Sequence, residues 1–219
     1  KVAGSSSAYL NSFREKAIGR FEELGIPTKK NEAYKYTNLN TFFDHDYGTY
    51  LIPVEADFKK AEEFRCDIAE LDSFGVVLYN GHFPTITEKL RQLPSGVWVG
   101  SLNEAALRFP DMIRKHYGRY ANSETDGLIH LNIAMAFDGV FIYIPENVVL
   151  DKPIQIVNLV GSESDMFNQY RNLIIVEKGA KATVLICDHT LEQARTLTNS
   201  VSEVHVEENA YLDLIRVQN

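Results

Sequence analysis

Ile174-Ile-Val-Glu-Lys-Gly-Ala-Lys-Ala-Thr-Val-Leu-Ile186 is two apolar runs hinged on a short polar corner. The same sentence is written twice more, around Ile144-Pro-Glu-Asn-Val148 and Val206-Glu-Glu-Asn-Ala210. Phe141-Ile-Tyr-Ile144 and Val204-His-Val206 precede those corners, and Ile154-Gln-Ile-Val157 and Leu212-Asp-Leu-Ile215 follow them. From Ile144 to Val176 is 32 residues, and from Val176 to Val206 is 30. Self-similarity at such a period is the mark of stacked repeats, each too small to bury its apolar face alone. Asn147, Gly179 and Asn209 occupy one place in the corner. Glycine, and asparagine more than most residues, accepts the left-handed backbone that a sharp corner needs. Each unit therefore reads as strand, tight turn, strand, return loop. The expected fold is mainly β: a right-handed parallel β-helix over residues 126–219, preceded by a small, mostly helical α+β domain over residues 1–125.

The first region carries different punctuation. Leu10, Phe13, Ala17, Phe21 and Leu24 recur at helical steps, predicting an amphipathic helix over residues 8–24 that Gly25 and Pro27 end. Asn31 to Leu39 predicts a turn of helix and a loop. A second short helix is expected over 57–65, a strand at Val76–Tyr79 running into the Asn80-Gly81 turn, a helix from Ile86 to Leu93 and a strand at Val97–Val99. Ser101, with Glu104 three residues on, predicts a helix over about 102–108, and Pro110 opens another through about Tyr117. Helical spacing gives way to alternation from Leu128 onward, so the boundary falls between about 118 and 130. Ala121–Gly127 is the linker, and the repeats start near Leu131-Asn-Ile-Ala134.

The chain has 219 residues and a net charge of −8. Residues 1–118 hold 15 basic and 16 acidic side chains, whereas residues 119–219 hold 7 and 14. An acidic repeat region argues against a nucleic-acid-binding face, which needs clustered Lys and Arg. Cys66 and Cys187 lie 121 positions apart with no Cys-x-x-Cys, which fits a reducing cytoplasm. No apolar run is long enough for a membrane span, and Lys1-Val-Ala-Gly-Ser-Ser-Ser7 has no secretory apolar segment. With no starting Met and no cap after Gln218-Asn219, the chain is expected to be a truncated N-terminal portion. Its last coil, with open strand edges, is expected to self-associate, making a homodimer possible.

Four segments carry a family resemblance: Gly25-Ile-Pro-Thr-Lys-Lys-Asn-Glu-Ala-Tyr-Lys-Tyr-Thr-Asn-Leu39, Val77-Leu-Tyr-Asn-Gly-His-Phe83, Leu131-Asn-Ile-Ala-Met-Ala-Phe-Asp-Gly-Val-Phe-Ile-Tyr-Ile-Pro145, and Thr198 to Ala210 with Val217-Gln-Asn219. In this order they resemble the SufB/SufD family of Fe–S cluster assembly subunits, on its SufD side. Tyr34 stands where a Trp is usual. The resemblance implies a cytoplasmic, non-enzymatic scaffold subunit that pairs with a SufB-like paralogue and binds a SufC-like ABC-type ATPase through helices beyond Asn219. It also implies a cluster held transiently by the whole complex, with no cofactor intrinsic to these residues.

Several constellations of side chains are candidates for chemistry. Cys187 and His189, at i and i+2 on a strand, would share a face and are the metal-ligand candidates; the plainer reading makes Cys187 a buried apolar residue and puts His189 in a loop. Cys66 has no His near it. Asp188, Glu192, Glu203, Glu207 and Asp213 could serve a carbohydrate-active or polysaccharide-binding β-helix, the alternative function, but a catalytic cluster would need Lys, Arg or metal beside it, and Lys181 and Arg216 read as isolated. A solvated acidic face is the better reading. There is no phosphate loop, dinucleotide fingerprint or nucleophile elbow, so no catalytic residue is assigned. Tyr34, Lys35 and Tyr36 read as an aromatic interface between the two domains rather than a base-stacking platform.

Overall fold

The computed structural model describes residues 7–49, 71–83, 90–121, 124–191 and 194–218. The helix expected over 57–65, Cys66, Glu192 and Asn219 lie outside these residues, as does the first half of the helix expected from Ile86; Leu90–Gln92 forms a turn of 3₁₀ helix.

The chain builds two sheets of mostly parallel strands. Strands β4 (Val140–Ile144), β6 (Met166–Val176) and β8 (Thr196–Val206) belong to one. Strands β5 (Ile154–Val160), β7 (Lys181–Thr190) and β9 (Tyr211–Gln218) belong to the other. Each corner passes the chain from the first sheet to the second, and each return loop passes it back. The repeat spacing is the pairing register: Ile144 stands beside Val176, and Val176 beside Val206. In the second sheet Ile154 stands beside Val184, and Val184 beside Leu214. At the corners Asn147, Gly179 and Asn209 all adopt positive φ, at 60°, 69° and 58°. The backbone there needs the residues that tolerate it.

Alternation along the strands divides the side chains. Ile142, Ile144, Ile174 and Val176 meet Ile154, Ile156, Val184 and Ile186 in the core between the sheets. Phe141, Leu173 and Ile175 point the other way, onto helices. The first region supplies the strands that cover the starting edges. Strand β2 (Phe74–Tyr79) runs parallel to β5, and β3 (Trp98–Ser101) runs antiparallel to β4. A two-residue strand, β1 (Gly48–Thr49), pairs with the start of β6.

Helix α1 (Ala8–Leu24) spans the expected residues, is capped by Ser7, whose side chain accepts from the Leu10 N–H, and stops at Gly25 with φ 66°. A two-turn pair follows later: α3 (Leu102–Arg108), capped by Ser101, and α4 (Pro110–His116), opened by its proline. Asn40–Phe43 forms a single turn, α2. Leu10, Leu102, Ala105, Ile113 and Tyr117 cover the outer face of the first sheet against Phe141, Leu173 and Ile175. Burying each Leu, Ile or Phe side chain of this set contributes about 1.5–3 kcal/mol.

Residues 128–135 correct the expected alternation. Gly127–Met135 is a helix, α5, capped by the Asp126 side chain on the Leu128 N–H. A short apolar run has no periodicity that separates strand from helix, and the cap decides it here. Helix α5 lies close on the end of α1, where a Cβ on Gly127 would meet the Gly25 oxygen at 1.9 Å.

Candidate functional site

Three of the four segments that carry the family resemblance converge on one strand, β6. Asn80 turns with φ 49° and holds the return loop by two side-chain bonds, donating to the Gly161 oxygen at 2.8 Å and accepting from the Gly161 N–H at 3.0 Å. The next residue, Gly81, sits so close to β6 that a Cβ would stand 2.8 Å from the Tyr170 Cβ. Asn132 on α5 donates to the backbone oxygens of Tyr170 and Asn199 at 3.0 and 2.9 Å, tying the helix to β6 and β8.

Asp138 is the joint between β3, α3 and β6. Its carboxylate accepts from the Ser101 hydroxyl at 2.9 Å and the Asn103 N–H at 3.1 Å, while its backbone oxygen accepts from the Arg171 N–H. Burial pushes this carboxyl up to about 6, against donors that favour its charge. Gly139 beside it leaves no room for a side chain, since a Cβ would lie 1.9 Å from the Arg171 oxygen.

Arg171 is the centre of the arrangement. Its Nε donates to Glu203 Oε2 at 3.0 Å and its Nη1 to Asn132 Oδ1 at 3.0 Å. Nη2 lies 2.9 Å from Glu203 Oε2 without hydrogen-bond alignment. The guanidinium stands 5.3 Å over the Tyr117 ring. Glu203 in turn accepts the N–H groups of Gly118 and Tyr120 at 2.8 Å and of Ala121 at 3.2 Å. Glu203 is thus no part of a solvated face. It is a buried anion whose lone pairs are taken by a cation and three backbone donors, as a buried charge requires. Opposite charges on two strands about one repeat apart were the signal for this pair.

Two further expectations are corrected nearby. Asp188 is half-buried and Arg216, though exposed, is not isolated, because Arg216 Nε donates to Asp188 Oδ2 at 2.7 Å and Nη2 to the Ser200 hydroxyl at 3.1 Å. Tyr170 and Asn158 complete this cluster, donating to Asp188 Oδ1 at 3.0 and 2.8 Å, and burial pushes the Tyr170 phenol up. The carboxylates weighed for carbohydrate chemistry are therefore dispersed. Glu203 and Asp188 are engaged in separate clusters, Glu207 pairs with His205 at 2.9 Å, and Asp213 is exposed on β9.

The Cys187 and His189 pair lies on β7, so His189 is in a strand rather than a loop. Cys187 is fully buried on the outer face of the second sheet with Val157, Leu159 and Leu185, and Gln155 Nε2 stands 3.9 Å from its sulfur. The register places Cys187 between Val157 and Val217, and His189 beside Leu159. Among the described residues no group of three or more His, Cys, Asp or Glu stands close enough to hold a metal ion. No helix among them is long and apolar enough to cross a membrane. Tyr34 does not pack on the sheets; its hydroxyl donates to Asp126 at 2.8 Å, beneath an open hollow lined by Asn31, Glu32 and Thr125. Tyr36 is 90% exposed, which corrects the expected aromatic interface.

The chain matches two family models end to end: the SufBD protein N-terminal region over residues 1–156, and the SufBD core domain of the SUF system for FeS cluster assembly over residues 159–219. An iron-sulfur cluster assembly SufBD family protein of Synechocystis is 28% identical over 99% of this chain and 49% of its own length. Another, of Arabidopsis thaliana, is 34% identical over 79% of this chain and 40% of its own. A third, of Pyropia yezoensis, is 26% identical over 96% and 46%. The chain spans about half the length of the curated relatives it matches. On these family models the chain belongs to the SufB/SufD family of iron–sulfur cluster assembly proteins.

Proposed function

We propose that this protein is a non-enzymatic scaffold subunit of a SUF-type complex, acting in the cytoplasm on the SufD side of the family. Its strands from β4 onward are the first coils of a right-handed parallel β-helix. Its partners are a SufB-like paralogue and a SufC-like ATPase, the latter bound through a region beyond Asn219. The observation that carries this reading is the stack itself. Two successive repeats pair in parallel register along the whole of β6 and β8, with the family's signature residues spent on locking helices to that stack. Such a device fixes position. The described polar clusters are engaged with one another, which suits a frame rather than a reactive pocket. In this reading the Fe–S cluster is cargo of the whole complex, and Cys187 with His189 are the side chains of these strands to test for iron contact.

The test is affinity purification of the full-length protein from its own cells, with partners read by mass spectrometry. Recovery of a SufB-like paralogue and a SufC-like ATPase in constant proportion is the expected result. Recovery of neither overturns the scaffold assignment.

A further inference from the structure

The segment after α4, residues 118–121, crosses β8 as a strap with two fastenings of different chemistry. One is a buried carboxylate: Glu203, neutralised by Arg171, accepts three of its backbone N–H groups. The other is a contact between two imidazoles. The His116 and His205 rings stand 4.6 Å apart, and Tyr120 stacks on His205 at 5.3 Å. His116 Nδ1 bonds to the Tyr120 hydroxyl at 2.5 Å, and His205 Nε2 to Glu207 Oε1 at 2.9 Å. His116 is 1% exposed, whereas Tyr120 is 42% exposed, so the strap covers a histidine that would otherwise meet water.

We propose that residues 118–121 are a pH-operated strap, docked on β8 through the His116–His205 contact and released when that imidazole pair takes up a proton. Two cations cannot share this space without repulsion, and a buried imidazolium would also lose its hydration. The surroundings favour the neutral state on balance. Lys115 and Arg119 bring positive charge from α4 and the strap, and Arg171 on β6 is neutralised by Glu203. Glu207, in the corner just after β8, favours protonation of His116, and it is engaged by His205. In the register row of His205, β6 and β4 offer Ile175 and the Tyr143 phenol. Burial first, then His205 and Lys115, holds the His116 imidazole down at about 4. A histidine held below its ordinary 6.5 leaves the docked state fully favoured above that value, and the preference is lost as pH falls toward 4. The proposal goes beyond the scaffold reading and does not depend on it.

The experiment is amide hydrogen exchange of Gly118, Tyr120 and Ala121 as a function of pH, corrected for intrinsic exchange. If the released strap restores an ordinary histidine, its opening constant rises about 30-fold from about pH 8 to about pH 5, while amides in the middle of β6 stay protected. His116→Phe keeps the bulk and removes the proton site, so the rise should vanish. His205→Gln, which keeps a partner for Glu207, should reduce it and serves if the first variant fails to fold. Protection that does not change with pH in the wild type overturns the proposal. So does loss in step with the β6 amides, or a rise that persists in the folded variant.

Discussion

Arg171 on β6 and Glu203 on β8 form an ion pair with side-chain exposures of 1% and 0%. They are diagonal neighbours, since Arg171 stands beside Val201 and Glu203 beside Leu173. Removing one partner strands the other charge away from water. Glu203→Gln or Arg171→Met should each lower the unfolding free energy by about 3–5 kcal/mol in urea titrations. An ordinary buried pair can be replaced by two apolar residues at little loss. Here Glu203 also serves the strap's three N–H groups, so Arg171→Met combined with Glu203→Leu should remain at least about 2 kcal/mol below wild type. Full recovery in the double variant would remove the strap from the account.

The corners give a second prediction. Gly179 has φ 69°, and a Cβ there would stand 2.5 Å from Asn147 Oδ1. Gly179→Ala should cost about 1–2 kcal/mol for the left-handed backbone alone, and more if the Asn147 side chain cannot turn aside. Asn209→Gly, at φ 58°, should change stability by only a few tenths of that. Equal effects of the two substitutions in urea titrations would contradict the corner geometry.

How much of this was legible turns on periodicity. The corners announced themselves because Asn147, Gly179 and Asn209 repeat a backbone requirement, and the spacing between them is the register of the sheets. Helix α1 was legible from its spaced apolar residues. Helix α5 was not, because the apolar residues of Leu128 to Met135 are not confined to one face, and the helix packs both on α1 and on β6. The locks were the least legible. Nothing local marks Arg171, Asn132 or Asp138 in the sequence, because their roles depend on partners 30 or more residues away, as in the Arg171–Glu203 and Arg171–Asn132 bonds. The acidic composition of the second half suggested solvated side chains, and it concealed that Glu203 faces inward, against the helical layer.

Asp138 gives a prediction of opposite pH sign to His116. Its folded value of about 6 lies above its ordinary 3.8, so the fold prefers the neutral acid. The stability this carboxyl contributes is fully present below about pH 4 and lost as pH rises through about 6, at most about 3 kcal/mol. Carboxyl carbon NMR should place the Asp138 midpoint near 6. A midpoint below about 4.5, the ordinary carboxylate range, would mean that its donors outweigh burial.

The central claim is that the protein serves Fe–S cluster assembly. The most direct measurement is incorporation of radioactive iron into client Fe–S proteins in cells depleted of it, with total iron uptake followed in parallel. The account predicts that incorporation falls several-fold while uptake holds, and that the intact protein restores it. Unchanged incorporation under full depletion would contradict the account.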